Sequence, residues 1–261
     1  LVDKMDNIHY FSRSVVASDL SDLLEYDLNV AYACLVSTTK HVFSGFTDAN
    51  HVEPCVRMLE MIAQSEGRSL RDSAPMTVIS CPIVSPLRIG TDSTYVIAEA
   101  VIHHLPLCLV SASQAGATAP ASIGKALAQN LAETLAGLFF VNLLRPGHPV
   151  IMGSWPFITD LRTGSFSGGG GEQAVLMAAA CQVTKSLNLP TSLGAGMTDS
   201  KIPDNQAGFE KALTIAVGAL AGGNMINASA GIYGSLMIGA YEGVVIDNDM
   251  YGAIERTLKG L

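Results

Sequence analysis

Residues 105–153 read LPLCLVSASQAGATAPASIGKALAQNLAETLAGLFFVNLLRPGHPVIMG, the clearest structural signal in the chain. An apolar run, Leu105–Ser111, is followed by a loop of small residues and then by a long helical pattern, Pro120–Leu144. A turn that contains Gly147 leads into a second apolar run, Pro149–Gly153. A strand, a helix and a second strand in this order predict a βαβ unit with two parallel strands.

The same alternation continues in both directions from this unit. The predicted strands are Ile8–Arg13, His41–Phe46, Met76–Cys81, Leu105–Ser111, Pro149–Gly153, Thr191–Gly196 and Asn224–Ser229. The predicted helices are Asp19–Ser37, Asn50–Ser65, Asp92–His103, Pro120–Leu144, Glu172–Leu187, Asn205–Ala221 and Ser235–Lys259. Asp92 and Asn205 are the expected N-caps of two of these helices. Strict alternation predicts a parallel sheet that is buried on both faces.

The length of the repeat favours a barrel over an open sheet. Strand starts recur about every 36 residues, a spacing typical of βα units. No GxGxxG follows the first strand and no Walker-type loop occurs, which weakens the alternative of a nucleotide-binding open sheet. Eight such units need about 288 residues, whereas the chain has 261. We therefore expect an α/β (β/α)8 TIM barrel, a single domain over residues 1–261, with about seven of its eight units present.

Charge and cysteine content narrow the class of protein. The chain has 15 Lys and Arg against 23 Asp and Glu, so it lacks the basic surface that nucleic-acid binding requires. Five widely spaced cysteines without a CxxC pair predict buried thiols in the cytoplasm rather than disulfides or a zinc site. No signal peptide is visible. The uncharged stretch Ala212–Tyr241 is split by Gly and Asn into helix, turn, strand and loop, so we expect no membrane span.

Chemistry in a barrel lies on the loops at the carboxyl ends of the strands. Four consecutive glycines open one predicted helix: Gly168, Gly169, Gly170 and Gly171. Their backbone N–H groups are a candidate cradle for an anionic cofactor group, the alternative being a mobile hinge. Asp199 and Lys201 belong to the densest ionisable cluster at a strand end and are the candidate catalytic residues. The alternative for this pair is a salt-bridged loop anchor.

Aromatic and amide side chains at strand ends are candidate substrate-binding groups. Trp155 is the only tryptophan and follows a strand directly, where its π-face suits a cation; core packing is the alternative. The weaker aromatic candidates are Phe43, Phe46 and Tyr233. Gln114 and Asn227 are candidates for orienting a substrate through polar contacts. Neither an HExxH motif nor a histidine cluster at ligand spacing occurs, so we expect no metal site in this chain.

Several of these segments, in order, resemble one known family. They are Val2–His9, Gln114–Ser122, Leu144–Val150, Thr198–Glu210 and Glu242–Asp247. Together they resemble the trimethylamine methyltransferase family over essentially all of the chain.

The resemblance implies a barrel that takes a methyl group from a methylated amine, such as trimethylamine or glycine betaine. The acceptor it implies is the cobalt of a corrinoid (cobalamin) carried by a separate protein, with no cofactor bound directly by this chain. Some members carry pyrrolysine and this sequence has none, which favours the branch without it. Members are longer at the N-terminus, which implies that the first barrel unit is missing here and that the chain is a fragment. The expected partners are the amine, the corrinoid protein and, in a homo-oligomer, further copies of the chain.

Two other functions stay open. A barrel lyase or aldolase would use Lys201 to form a Schiff base with a carbonyl substrate. A binding protein would sense methylated amines without turning them over.

Overall fold

The computed structural model describes residues 1–70, 75–227 and 229–261. The strands of its main sheet are Tyr10–Ser12 (β1), His41–Ser44 (β2), Thr77–Ile83 (β3), Leu107–Ser111 (β4), Val150–Ser154 (β5), Thr191–Gly194 (β6) and Met225–Asn227 (β7). The helices are Leu23–Ser37 (α1), Val52–Ser65 (α2), Thr91–Ile102 (α3), Ile123–Leu144 (α4), Gly171–Ser186 (α5), Asn205–Leu220 (α6) and Tyr241–Leu258 (α7). Every strand pairs in parallel with the next strand along the chain, so the predicted βα alternation is confirmed.

The sheet is curled so that its two edges approach the same interior. The buried residues Phe43, Val78 and Cys108 form a cluster on the concave face. Tyr10 from β1 and Met225 from β7 both pack against this cluster, although these strands are the two ends of the sheet. Within the described residues, β1 and β7 each pair with one strand only. The fold is therefore a barrel that is open between β1 and β7, as expected for seven of eight units.

The segment 1–8 packs beside this opening. Ile8 belongs to a cluster with residues of α6 and α7, and the backbone N–H of Asn7 donates to Asn248 Oδ1 of α7 at 3.0 Å. On the other side, Lys40 Nζ donates to the carbonyls of Val2, at 2.9 Å, and Ile8, at 2.6 Å. The segment thus connects the start of β2 to α7. A cavity of about 570 Å³ remains between β1, α1 and the start of α7.

Short strands outside the main sheet were not predicted. Gln114–Ala115, Phe157–Asp160 and Ser165–Ser167 form a three-stranded sheet. Ile232–Tyr233 and Ile238–Gly239 form an antiparallel hairpin. Because this hairpin occupies the start of the last predicted helix, α7 begins at Tyr241 and not at Ser235, and that predicted boundary was wrong.

Both predicted N-caps also need correction. Asp204, not Asn205, caps α6, and its carboxylate accepts a hydrogen bond from Ala207 N–H at 2.9 Å. Asp92 lies in the first turn of α3, whose N-cap position is held by Gly90. An acidic residue in a first turn still interacts favourably with the helix dipole, which explains the sequence signal.

The stretch 212–241 is divided between α6, β7 and the hairpin, as expected from its glycines. Among the described residues, α4 alone is long and apolar enough, by length and composition, to cross a membrane. It packs against β4, β5 and α5, and a core helix meets the same criteria, so this is weak evidence of a span.

Candidate functional site

The carboxyl ends of β1 to β4 and one face of α1 border a cavity of about 290 Å³. Its lining includes Ser12, Arg13, Asp27, Phe43, Ser44 and Phe46. Of these, Phe46 was a predicted substrate-binding residue; it also packs against the core beneath α2 and α3. Aromatic and small polar groups around a space of this size suit a small organic ligand.

An aromatic pair lies inside the barrel next to this cavity. Phe43 of β2 and Trp155, which directly follows β5, have ring centroids 6.4 Å apart and ring planes inclined by 22°. The indole is half-buried and lies over Gly194 of β6, where an added Cβ would be 3.2 Å from the indole carbons. The glycine therefore makes room for Trp155, and the curl of the sheet brings two distant aromatic residues together.

Two predicted substrate-binding residues, Trp155 and Asn227, share one partner. Trp155 Nε1 donates to Ser192 Oγ at 3.3 Å, and Asn227 Nδ2 donates to the same oxygen at 3.0 Å. Ser192 lies in β6 and is completely buried. The structure thus joins the π-face and the amide that the sequence suggested only separately.

The other two substrate-binding predictions lie elsewhere. Gln114 is part of the three-stranded sheet, where its Oε1 accepts from Thr159 Oγ1 at 3.5 Å. Tyr233 is only 1% exposed, and its ring lies between Lys211, with Nζ 4.9 Å from the ring centre, and Gly243 of α7. Burial, followed by the charge of Asp247, raises the pKa of Tyr233 to about 12. The roles of Gln114 and Tyr233 at a substrate stay predictions.

Asp199 ties three segments together. Its carboxylate accepts from Gly168 N–H at 3.0 Å, from Ser167 Oγ at 2.9 Å and from Ser235 Oγ at 2.6 Å. These donors follow β5 and β7, so the loop after β6 holds both neighbouring loops. Lys201 is exposed, and its Nζ lies 3.4 Å from the carbonyl oxygen of Asp199. Catalysis by Asp199 and Lys201 stays a prediction. The contacts of Asp199 are those of the alternative, a residue that anchors a loop, but among the described residues it forms no salt bridge.

The glycine run packs closely against the loop after β6. An added Cβ would lie 2.7 Å from Met197 Cβ at Gly168 and 2.6 Å from Glu210 Cβ at Gly169. Gly170 and Gly171 are the N-cap and first residue of α5. The anion that Gly168 N–H holds in this structure is the Asp199 carboxylate, and binding of a cofactor by the run stays a prediction.

Four buried carboxylates on helices hold the loops of the barrel mouth; we call them the loop anchors. They are Asp27, Glu133, Glu210 and Asp247. Glu133 of α4 accepts from Ser85 Oγ at 2.6 Å and from Leu87 N–H at 2.9 Å, both after β3, and also from Ser111 Oγ. Asp27 of α1 accepts from Thr47 N–H, after β2, at 2.7 Å.

The remaining two loop anchors hold the last two loops. Glu210 of α6 accepts from Thr198 Oγ1 at 2.6 Å and from Asp199 N–H at 3.0 Å. Asp247 of α7 accepts from Gly231 N–H at 2.8 Å and forms a buried ion pair with Lys211 Nζ at 2.7 Å. Sequence reasoning missed these acids, although polar residues on the buried face of an apolar helix are a usable signal.

The mouth is bordered by exposed apolar side chains, which we call the apolar rim. They stand on the loops after β1, β3, β5, β6 and β7: Val15, Val16, Leu87, Leu161, Ile202, Leu236 and Met237. Apolar side chains gathered around an opening are typical of surfaces that bind another protein.

The sequence predicted buried cysteine thiols and no metal site. All five cysteines are buried and unpaired, as predicted. Burial raises the pKa of the Cys55, Cys81 and Cys108 thiols to about 12. Across the described residues, no group of three or more His, Cys, Asp or Glu side chains is placed to hold a metal ion.

Comparison with known proteins adds relatives to this geometry. The family model for trimethylamine methyltransferase (MTTB) matches residues 1–261. Trimethylamine methyltransferase of Methanosarcina thermophila is 29% identical over 261 residues, which are 100% of this chain and 54% of that protein. Glycine betaine methyltransferase of Desulfitobacterium hafniense is 36% identical over 152 residues, 58% of this chain and 32% of that protein. The chain spans about half the length of the trimethylamine methyltransferases it matches.

Among solved structures, a dihydropteroate synthase of Coxiella burnetii in complex with pteroic acid is similar in fold. The TM-score is 0.56 at 11% sequence identity, over 96% of this chain and 80% of that one. At this identity the likeness concerns the fold alone, and it agrees with the barrel described above. The family match extends over every unit of the barrel and includes the residues around the cavity. The chain belongs to the trimethylamine methyltransferase family.

Proposed function

We propose that this chain is the barrel of a methyltransferase that moves a methyl group from a tertiary or quaternary methylated amine to the cobalt of a corrinoid protein. The observation that carries the proposal is the Phe43–Trp155 pair, which lies beside the cavity of about 290 Å³ at the barrel mouth, in a chain of this family. The relatives named above act on trimethylamine and glycine betaine by their names. The absence of pyrrolysine from the sequence favours the branch without it.

The pair supplies what an alkylammonium group requires. Such a cation has no N–H to donate when it is quaternary, so hydrogen-bond acceptors cannot recognise it directly. The quadrupole of an aromatic face attracts the cation by about 0.5–2 kcal/mol, and the attraction is strongest where the site excludes water. Phe43 is buried and Trp155 is half-buried, which favours the upper part of this range.

The transfer breaks one N–CH₃ bond, and its electron pair stays on nitrogen. A quaternary amine therefore leaves as a neutral tertiary amine and needs no proton, whereas a tertiary amine leaves as a neutral secondary amine only when its nitrogen carries a proton. The reduced cobalt of the partner supplies the nucleophile that receives the methyl group. This chain orients the N–CH₃ bond toward the mouth and excludes water, so the rate enhancement comes from proximity and electrostatics.

The apolar rim is the surface where we place the corrinoid protein. It surrounds the opening through which the bound amine is reached, and its side chains stand on five different loops. A partner bound there brings its corrinoid over the cavity and covers the exposed apolar side chains. We also infer a cytoplasmic protein, because its five thiols are free.

The proposal is tested by mixing the protein with its reduced corrinoid protein and a panel of methylamines, quaternary and tertiary. Cobalt methylation, followed by the absorbance of the corrinoid, is expected with at least one amine and is expected to weaken when Trp155 is replaced by Ala. No methylation with any amine would overturn it. Amine binding without dependence on the corrinoid protein would favour the sensor, and borohydride trapping of a carbonyl substrate on Lys201 would favour the lyase.

A further inference from the structure

Ser192 lies at a position where a side chain is not expected to contact solvent or substrate. It occupies the second position of β6, is completely buried, and pairs in register with Gly153 of β5 and Met225 of β7. Its hydroxyl points into the barrel, where Trp155 and Asn227 reach it.

Both acceptor sites of this hydroxyl are used. A serine oxygen has two acceptor lone pairs and one proton. The lone pairs receive Trp155 Nε1–H at 3.3 Å and Asn227 Nδ2–H at 3.0 Å. Because both donors belong to candidate substrate-binding residues, the effect of Ser192 on a substrate passes through Trp155 and Asn227.

Each of the two donors gains a fixed orientation from this contact. The indole N–H bond sets the ring plane of Trp155, which lies 22° from that of Phe43. The amide N–H bond sets the plane of Asn227 and leaves its carbonyl oxygen on the opposite side of the amide. The aromatic face of Trp155 and the carbonyl dipole of Asn227 are thereby held at a fixed distance and angle to each other. Groups fixed in this way favour a cation over a neutral amine of the same shape.

We propose that Ser192 is a positioning residue that holds Trp155 and Asn227 in the arrangement that selects an alkylammonium ion. This inference rests on the proposed function, because it concerns the same site. The first test needs neither ligand nor variant. Trp155 is the single tryptophan of this chain, so the chain gives one indole N–H resonance. We expect slow hydrogen exchange at this N–H, since it is bonded in the interior; exchange as fast as in free indole would overturn the proposal.

The second test compares three variants by the fluorescence of Trp155. Ser192→Ala removes the shared acceptor, so we expect a shifted emission maximum and stronger quenching by acrylamide. Ser192→Thr keeps the hydroxyl and is expected to restore the wild-type spectrum. Thr184→Val is the matched control, because Thr184 Oγ1 is buried in α5 and has no hydrogen-bond partner among the residues that the structure describes. An unchanged spectrum in a folded Ser192→Ala protein would contradict the positioning role.

The third test separates this inference from the proposed function. Tetramethylammonium is titrated into each protein, and binding is followed by quenching of Trp155. We expect the Kd to rise about three- to tenfold in Ser192→Ala, the range of one hydrogen bond, while trimethylamine at high pH is affected less. In turnover the variant is expected to raise KM with little change in kcat. Equal affinity for both probes in wild type and variant would refute selection by Ser192. If wild type binds no amine at all, the proposed function fails, and the exchange and emission results still decide the positioning role.

Discussion

Gly168 and Asp199 are joined by a hydrogen bond of 3.0 Å from the backbone N–H to Oδ1, which connects the loops after β5 and β6 directly. Asp199→Ala removes the acceptor for Gly168, Ser167 and Ser235, and we expect a loss of stability and of methyl transfer together. Asp199→Asn keeps one acceptor oxygen and is expected to retain activity within about fivefold, since a neutral hydrogen bond differs from a charged one by about 1 kcal/mol. Urea unfolding and the methylation assay measure both effects. A folded but inactive Asn variant would instead indicate that the charge acts on substrate.

Removal of the loop anchor Glu133 is expected to destabilise the protein by about 2–4 kcal/mol in the Ala variant, because several buried donors lose their acceptor. These donors include Ser85 Oγ and Leu87 N–H. The free energy of unfolding in urea is the measurement. Glu60→Ala, an exposed acid on α2, is the control and is expected to change stability by less than about 0.5 kcal/mol. A Glu133→Ala effect as small as that of the control would contradict the anchor role.

The buried pair of Lys211 and Asp247 gives a prediction with a double mutant. Their side chains are 1% and 3% exposed, and burial lowers the pKa of Lys211 although Asp247 opposes the shift. Lys211→Met leaves a buried carboxylate without its counter-ion, which costs about 3–5 kcal/mol. Adding Asp247→Asn removes that charge and keeps an acceptor for Gly231, so the double variant is expected to be more stable than Lys211→Met alone. Thermal unfolding of the single and double variants checks this. Strictly additive losses would mean that the two charges are not coupled.

The N-cap of α6 predicts how stability depends on pH. The hydrogen bond from Ala207 N–H, and next that from Ser200, lowers the pKa of Asp204 below its usual value. The folded pKa is therefore the lower one, so the stabilisation is complete above the unfolded value, about 3.9, and is lost as pH falls through the folded pKa. Asp204→Ala should lower Tm at neutral pH, with a difference from wild type that shrinks in acid.

Asp204→Asn separates the cap from its charge, because Asn keeps a cap acceptor. It is expected to show an intermediate Tm with a weaker pH dependence than wild type between pH 5 and about 2.5. Asp19→Ala, an exposed acid on the loop after β1, serves as the control. A constant difference between wild type and Asp204→Ala across this range would show that the cap charge does not contribute.

The barrel could be predicted from the sequence because the βα repeat is long and regular. β2 begins at His41 and β6 at Thr191, as predicted, since buried parallel strands are continuous apolar runs. The three-stranded sheet and the hairpin were missed because their strands lie within the loops, outside the regular βα repeat, and at two to four residues have no periodicity of their own. Local signals thus define the repeating units but not the small additions to their loops.

Within the candidate site, the sequence indicated side chains but not their partners. Trp155 and Asn227 stood out because they lie at the carboxyl ends of strands. Ser192 did not, because a serine within a strand carries no pattern, and its contacts join residues 35 and 37 positions apart in the chain. The loop anchors depend in the same way on how helices pack on the curled sheet, which is a property of the folded chain.

The loop anchors also limit how this barrel can be re-engineered. The mouth loops they hold have their acceptors on helices, and Glu133 holds both the loop after β3 and the last residue of β4. A chimera that takes only the loop from a relative would leave a buried acid without the hydrogen-bond donors of that loop. Grafts intended to change the amine should therefore exchange the loop and its anchoring helix as one cassette, with exchange boundaries placed at the amino ends of the strands.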